Sequence, residues 1–338
     1  MKGIIIAGGL GTRMRPLTYS RPKHLLPVAN RPFLEYQIEL MKSHGIDEIV
    51  FATNYFADLI EAQFGDGSCY GLKMKYALED RPLGTAGAVR NASKELPNET
   101  IIVFNGDILT DFNLGELIQF HNDRNAEATI ALRPVNRPHA FGALSMDETG
   151  RVTNWHEPTE EEKKAVAAYK GEKSDEIDYI NAGIYILAPE LVASIPTDRP
   201  VSVERETYPS LIRSGAGIYG YAPTGFWLDI GHPSQYLAAN MAVASKNVST
   251  NVLWSSQPDG LSVGENSVID ESTVLGPNVT IGQGVQIKGS VLLDGCNVLD
   301  NCVLDGVICE EGVTIEADVS ISGGVIAAGS IIKKGTRL

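Results

Sequence analysis

Apolar positions along the chain follow one regime up to about residue 187 and another beyond about residue 245. In the first, short apolar runs alternate with stretches whose apolar residues fall three or four apart. The runs GIIIA (3–7), EIVFAT (48–53), LKMKYAL (72–78), TIIVFNGD (100–107), ATIALRPV (128–135) and DYINAGIYIL (178–187) predict strands. FGALSMDETGRVTNWHE (141–157) predicts a hairpin that turns at Asp147–Gly150. Pro32–His44 predicts a helix, with Asn30 or Arg31 near its cap, Pro32 in its first turn and Gly45 as its stop. Leu34, Ile38 and Met41 share the inner face of that helix. Strands alternating with helices predict an α/β domain with a mostly parallel sheet.

The second regime has a period of six. Val263, Ile269, Leu275, Ile281, Ile287, Leu293 and Leu299 follow it; the register then slips and resumes at Val303, Cys309, Ile315 and Ile321. An amphipathic helix cannot produce such a period. It predicts a parallel, left-handed β-helix whose hexads each form one side of a triangular coil. Three hexads make a turn, so Cys296 and Cys302 fall on successive sides. The polar stretch SKNVSTNVLWSSQPDG separates the two regimes. The expected division is 1–245, a linker 246–260, and 261–338.

Composition narrows the classes. With 338 residues, 43% hydrophobic and 21% charged, the chain reads as a soluble enzyme of two domains. A net charge of -14 argues against a nucleic-acid partner. The N-terminal apolar run is too short for a signal-peptide core and no stretch approaches a membrane span, so the expected location is cytoplasmic. The four cysteines form no C-x-x-C pair and read as packed free thiols.

Against this acidic background, GGLGTRMRPLTYSRPKHLLPV (8–28) places Arg13, Arg15, Arg21 and Lys23 behind three glycines at the end of the first strand. Backbone N–H groups approach an anion where no Cβ intrudes. Arg13 can fork two phosphate oxygens, and Lys23 supplies a mobile point charge. The run is neither a Walker motif nor a dinucleotide fingerprint, since Met14 stands where a third glycine would. It fits a triphosphate.

The stretch resembles the signature of the sugar-1-phosphate nucleotidyltransferases, the pyrophosphorylases that make nucleotide sugars. Every fixed position of that signature is present from Gly8 to Val28, and the likeness continues through PLGTAGA (82–88), FNGDIL (104–109), INAGIYIL (180–187), VSVERETYP (201–209) and FWLDIGHPSQYL (226–237). Hexapeptide tails are a known appendage of the family. The resemblance implies a Rossmann-like nucleotidyltransferase domain with a mixed, mostly parallel sheet. It also implies attack of a sugar-1-phosphate oxygen on the α-phosphorus of an NTP, which needs positioning and charge neutralisation rather than a general base. By the same resemblance, Arg13, Lys23 and Asp107 are catalytic. Gly8, Gly9, Gly11, Thr12, Glu79, Gly84 and Thr85 hold the nucleotide; Gly142, Glu157 and Asn181 hold the sugar phosphate; Asp107 and Asp229 hold Mg2+. Asn181 is open to a second reading as a satisfied strand-end polar group, and Gly142 to one as a hairpin bulge.

The subgroup most resembled transfers guanylyl to mannose-1-phosphate. Glu79 agrees, because an ionised carboxylate accepts from both guanine N1–H and the N2 amino group. Thymidylyl, uridylyl or adenylyl transfer to glucose-1-phosphate, or a regulatory subunit that binds nucleotide sugars, are the alternatives. Relatives place a Lys after the Glu that is Glu157 here, and this chain has Pro158. The segment 159–178 reads as a solvated charged helix, or as a lid that returns Lys163 or Lys164 to that place. His24, where many relatives have Pro, reads as neutral. The six histidines end at His232, so the β-helix lacks the His of an acyltransferase and reads as an assembly surface for a homo-oligomer.

Overall fold

The computed structural model describes all 338 residues. They fall into two compact units: Met1–Gly9 with Leu40–Trp227, and Leu10–Glu39 with Leu228–Leu338.

The first unit is built on a nine-stranded sheet. Its parallel part comprises β1 (Lys2–Ile6), β2 (Glu48–Thr53), β3 (Lys73–Leu78) and β4 (Ile101–Asn105), with Ile4 opposite Val50 on one side and Val103 on the other. These strands are nearly continuous apolar runs because helices cover both faces. Ile4, Val50 and Val103 are fully buried, each contributing about 1.5–3 kcal/mol. α1 (Phe33–Ser43) carries the chain from the second unit's segment into the first's, and the covering helices include α2 (Ala57–Phe64), α3 (Gly84–Ala92) and α4 (Leu114–Asp123).

The rest of the sheet comprises β5 (Ala128–Asn136), β6 (Ala143–Met146), β7 (Val152–His156), β8 (Ile177–Leu187) and β9 (Ile218–Tyr221). β8 runs antiparallel to β4, β5 and β6, making the sheet mixed. The hairpin β6–β7 turns where expected. Gly150 (φ +83°) closes it by donating to Asp147 O, and Asp147 Oδ1 accepts from the Thr149 and Arg151 amides. Between β7 and β8 lies α5 (Glu160–Ala168), capped by Thr159 and Glu162 and burying no residue.

α1 begins one residue later than expected. Pro32 is not in its first turn; it pairs with Pro27 in a short antiparallel ladder, 27–28 with 31–32, which turns through Ala29 and Asn30, both at positive φ. Leu34, Ile38 and Met41 are fully buried, and Gly45 (φ +80°) ends the helix. After α6 (Pro189–Ser194) and α7 (Tyr208–Ser214), the long α8 (Pro233–Ala244) belongs to the second unit.

That unit ends in three parallel sheets of two- and three-residue strands: five strands from 262–263 to 331–332, four from 268–269 to 320–322, and four from 274–275 to 325–326. Val263 stacks on Ile281 eighteen residues later, but Ile281, Val298, Ile315 and Ile332 follow at seventeen. The later coils have one five-residue side, cut short at Gly289–Ser290 in the first of them. This corrects the place of the slip: the six-residue spacing first breaks between Ile287 and Leu292, not between Leu299 and Val303. Leu292, Val298 and Leu304 point inward, whereas Leu299 and Val303 are exposed. Each side buries a small residue two before its large one, as in Val279/Ile281, Cys296/Val298 and Cys302/Leu304. The buried cysteines are therefore packing residues, and burial pushes the Cys296 thiol up to about 12. Asn278, Gly295, Gly312 and Gly329 share one corner, all left-handed.

Candidate active site

In the first unit, the sequence-predicted residues gather at the carboxyl ends of the parallel strands, where open α/β sheets place ligands. Gly8 follows β1. A Cβ there would lie 3.4 Å from the Asn54 side chain and 3.8 Å from Glu79 Oε1, so the absent side chain opens the strand end beside Glu79. Glu79 is buried, and its Oε2 accepts the Leu83 amide at 2.9 Å. Desolvation raises its pKa above the ordinary 4.5, partly offset by that hydrogen bond.

Gly84 (φ +75°) opens α3 against the segment before α7. A Cβ would fall 2.5 Å from Val201 O, so the residue must be glycine on both conformational and steric grounds. Thr85 Oγ1 donates to Glu204 Oε2 at 3.1 Å and accepts the Val203 amide at 2.8 Å. Its hydroxyl thus joins α3 to VSVERE. Asp107 follows β4 and is half-buried; the Gly106 amide before it donates to Ile6 O at 3.0 Å. Burial, with Glu204 and Asp107 nearby, holds the Tyr185 hydroxyl well above its ordinary 10.

Asn181 lies at a bulge in β8. Its Nδ2 donates to Tyr185 OH at 2.5 Å and its Oδ1 accepts the Gly183 amide at 2.8 Å. These two bonds fix the orientation of its amide. Gly142 and Glu157 are brought together: a Cβ on Gly142 would fall 2.5 Å from Glu157 Oε2. Glu157 lines a cavity of about 400 Å³ with Trp155, Glu160, Glu204, Arg205 and Pro209. Arg205 is the one cation in that lining, and the sequence reading missed it, as it missed Glu204. Both stand in VSVERETYP, which carried the family likeness without any one of its residues being singled out. Lys163 Nζ bonds Glu160 at 3.1 Å on its own helix and Lys164 is exposed, as a solvated charged helix requires.

In the second unit, Gly11 (φ +61°) turns the chain into the 3-10 helix Thr12–Met14. It has no Cβ to separate this turn from Lys23: one there would lie 3.4 Å from Lys23 Cβ. Thr18 Oγ1 fixes the turn through Gly11 O at 2.8 Å. Arg13 Nη2 and Asp229 Oδ1 converge on Gly231, 3.3 and 3.4 Å from where its Cβ would be. The other loop cations have different employment. Arg15 lies over the Tyr19 ring at 5.4 Å, and Arg21 Nη2 pairs with Glu311 Oε1 at 2.5 Å. His24 is buried in the short helix Lys23–Leu25.

No three His, Cys, Asp or Glu side chains cluster around a metal-sized point. Asp107 and Asp229 are single half-buried carboxylates, each in its own unit. Such donors suit Mg2+, which takes one or two carboxylates with phosphate oxygens and keeps several waters. No helix is long and apolar enough to cross a membrane.

The first unit thus carries a glycine-led strand end and a strand-end Asp and the second a cationic turn, and comparison with known proteins identifies the family. The Nucleotidyl transferase family profile matches residues 2–246, and that of the GMPPB C-terminal domain matches 248–338. The chain belongs to the nucleotidyl transferase family. It is 40% identical to the mannose-1-phosphate guanylyltransferase of Mycobacterium tuberculosis, over 69% of this chain and 62% of that protein. It is 35% identical to the mannose-1-phosphate guanyltransferase of Pichia angusta, over 80% of this chain and 72% of that protein. The chain spans a little under two thirds of the length of the first of these relatives. Among solved structures, HddC from Yersinia pseudotuberculosis complexed with GMP-PN superposes with a TM-score of 0.58 at 27% identity, covering 72% of this chain and 99% of that one. A putative glucose-1-phosphate thymidylyltransferase from Bacillus anthracis shares the fold, with a TM-score of 0.62 at 22% identity, covering 75% of this chain and 98% of that one.

Proposed function

We propose that this protein transfers GMP from GTP to mannose-1-phosphate, releasing pyrophosphate and forming GDP-mannose. The observation that carries the reading is the turn in which Gly11 sets Thr12–Met14 beside Lys23. It is a preorganised cationic anchor in a chain of net charge -14. The relatives named for guanylyl transfer to mannose-1-phosphate support the choice of substrates.

In this reading a phosphate oxygen of the sugar attacks the α-phosphorus and the bond to pyrophosphate breaks. The nucleophile arrives as an anion, so no side chain need take a proton. Gly8, Gly9, Gly11 and Thr12 admit the triphosphate to the backbone, while Arg13 and Lys23 neutralise its charge. Glu79, Gly84 and Thr85 border the base, and the Glu79 carboxylate favours the paired donors of guanine. Gly142, Glu157 and Asn181 serve the sugar phosphate, with Arg205 offering it a cation. Asp107 and Asp229 are the proposed ligands of Mg2+, which supplies charge neutralisation on the phosphate oxygens when bound.

The transferase part is assigned to 1–245 and the repeat part to 261–338. Four cysteines kept as thiols agree with a cytoplasmic enzyme. Homo-oligomerisation through the repeats is included, supported by Val268 and Val303, exposed on one sheet face; solution mass tests it. The decisive assay is pyrophosphate release with GTP, ATP, UTP and dTTP against mannose-1-phosphate and glucose-1-phosphate. GTP with mannose-1-phosphate is expected to be fastest, and another preferred pair overturns the assignment.

A further inference from the structure

Residues 10–39 form one compact unit with 228–338, and the contacts behind that grouping lie on both sides of Lys23. Two residues before it, Arg21 Nη2 meets Glu311 Oε1 at 2.5 Å, each side chain about one third exposed. After it, the ladder 27–32 is held at three points. Tyr236 OH donates to Pro27 O at 2.5 Å, the Ala29 amide donates to Asn240 Oδ1 at 2.9 Å, and Asn30 Nδ2 donates to Leu275 O at 2.8 Å. Asn240 is fully buried and its Nδ2 is satisfied by Tyr236 O, so the α8 side of this clasp is fixed.

Leu275 and Glu311 both belong to the β-helix. Glu311 stands at the left-handed corner residue Gly312, whose amide is bonded to Asp294 O at 2.9 Å. Its backbone is therefore held by the neighbouring coil. A lysine side chain is long and flexible, so the place of its ammonium depends on how firmly its backbone is held. Between Arg21 and the ladder, Pro22–Leu26 makes the local turns Leu25 N–H to Pro22 O and Leu26 N–H to Lys23 O, and Leu26 O accepts the Phe33 amide at 3.0 Å.

We propose that Glu311 is a positioning residue: through Arg21 the β-helix holds the Lys23 turn in the geometry that receives the triphosphate. The repeat domain then takes part in catalysis from a distance, beyond any role in assembly. The proposal rests on the reading of Lys23 as a phosphate-holding cation.

The test uses the full chain with Glu311→Gln, Arg21→Glu and the exchanged pair Arg21→Glu/Glu311→Arg. Two quantities are followed: amide hydrogen exchange of Leu25 and Leu26, and kcat with the KM values for GTP and mannose-1-phosphate. In Glu311→Gln we expect exchange at both amides to rise at least threefold. We expect kcat to fall about fivefold, with KM for mannose-1-phosphate within twofold of the parent. The exchanged pair is expected to recover at least half of each loss. A merely structural contact would lower the unfolding temperature without changing kcat, and that outcome overturns the proposal. Unchanged exchange in Glu311→Gln also overturns it, whatever the kinetics. A parent inactive with every NTP would remove the functional reading and with it the catalytic half of this inference, while the exchange data still decide whether Glu311 holds the turn.

Discussion

Gly142 and Glu157 fit together because one of them has no side chain: a Cβ on Gly142 would fall 2.5 Å from Glu157 Oε2. Gly142→Ala must therefore displace the carboxylate from its place on the cavity wall. KM for mannose-1-phosphate is expected to rise about tenfold, the equivalent of about 1.4 kcal/mol, with KM for GTP nearly unchanged. Initial rates at varied concentrations of each substrate check it. Arg205→Gln is expected to move the same constant in the same direction, since it removes the one cation of that lining.

Lys23→Ala should cost about 2.7–4 kcal/mol of transition-state stabilisation, the loss typical of one preorganised donor. Asp107→Asn should cost at least as much, about 10²–10³-fold in kcat. Single-turnover pyrophosphate release separates these losses from weaker binding. Near-parental rates for either variant at saturating Mg2+ would remove that residue from the chemistry.

Glu79→Gln carries a pH signature as well as a substrate one. The folded state raises the pKa of this carboxyl, so it binds the proton more tightly than the unfolded chain does. Its favourable contribution is complete below the ordinary 4.5 and is lost as pH rises through the raised value. The variant does not titrate. Its melting temperature relative to the parent is expected to increase as pH rises from 4 toward 7, followed by scanning calorimetry. In the same variant the preference for GTP over ATP, UTP and dTTP in kcat/KM should shrink.

Gly84→Ala is expected to be more damaging than its size suggests. The added methyl meets Val201 O at 2.5 Å, a backbone atom that cannot swing aside, and the φ of +75° is itself costly for alanine. A loss of about 2 kcal/mol or more in urea denaturation is expected, with the Thr85–Glu204 junction disrupted.

Much of this architecture was legible because it is local. The strands β1, β2 and β4 declare themselves as solid apolar runs, and the turn at Asp147–Gly150 has its own side-chain acceptor. Three features were not legible, each for a physical reason. Pro32 suits a first helical turn, but the ladder with Pro27 competes for it and wins. The period of six hides a five-residue side, because Leu292 and Leu293 are adjacent and equally apolar; only stacking against Val274 and Leu275 decides which one faces inward. Arg21 looks like one more phosphate-binding cation until the fold brings Glu311 to it from 290 positions away. The Glu79 carboxylate was read as aimed at a base, and the fold also engages it with the Leu83 amide.

The seventeen-residue coil has a consequence for how such a chain can change length over evolutionary time. A residue gained or lost within one side alone puts that side out of step with the coils stacked on it; the five-residue side that begins at Gly289–Ser290 holds because every later coil repeats it. A duplication or deletion of one whole coil disturbs only the seam where it occurs, because each coil meets only its neighbours. Inheritance of this tail is therefore quantised: viable descendants differ by complete turns. The coil bearing Leu275 and the coil bearing Glu311 must also keep their separation, since both grip the segment around Lys23. A whole turn inserted between them would preserve the β-helix and break that grip, so selection on the loop fixes the number of coils lying between the two.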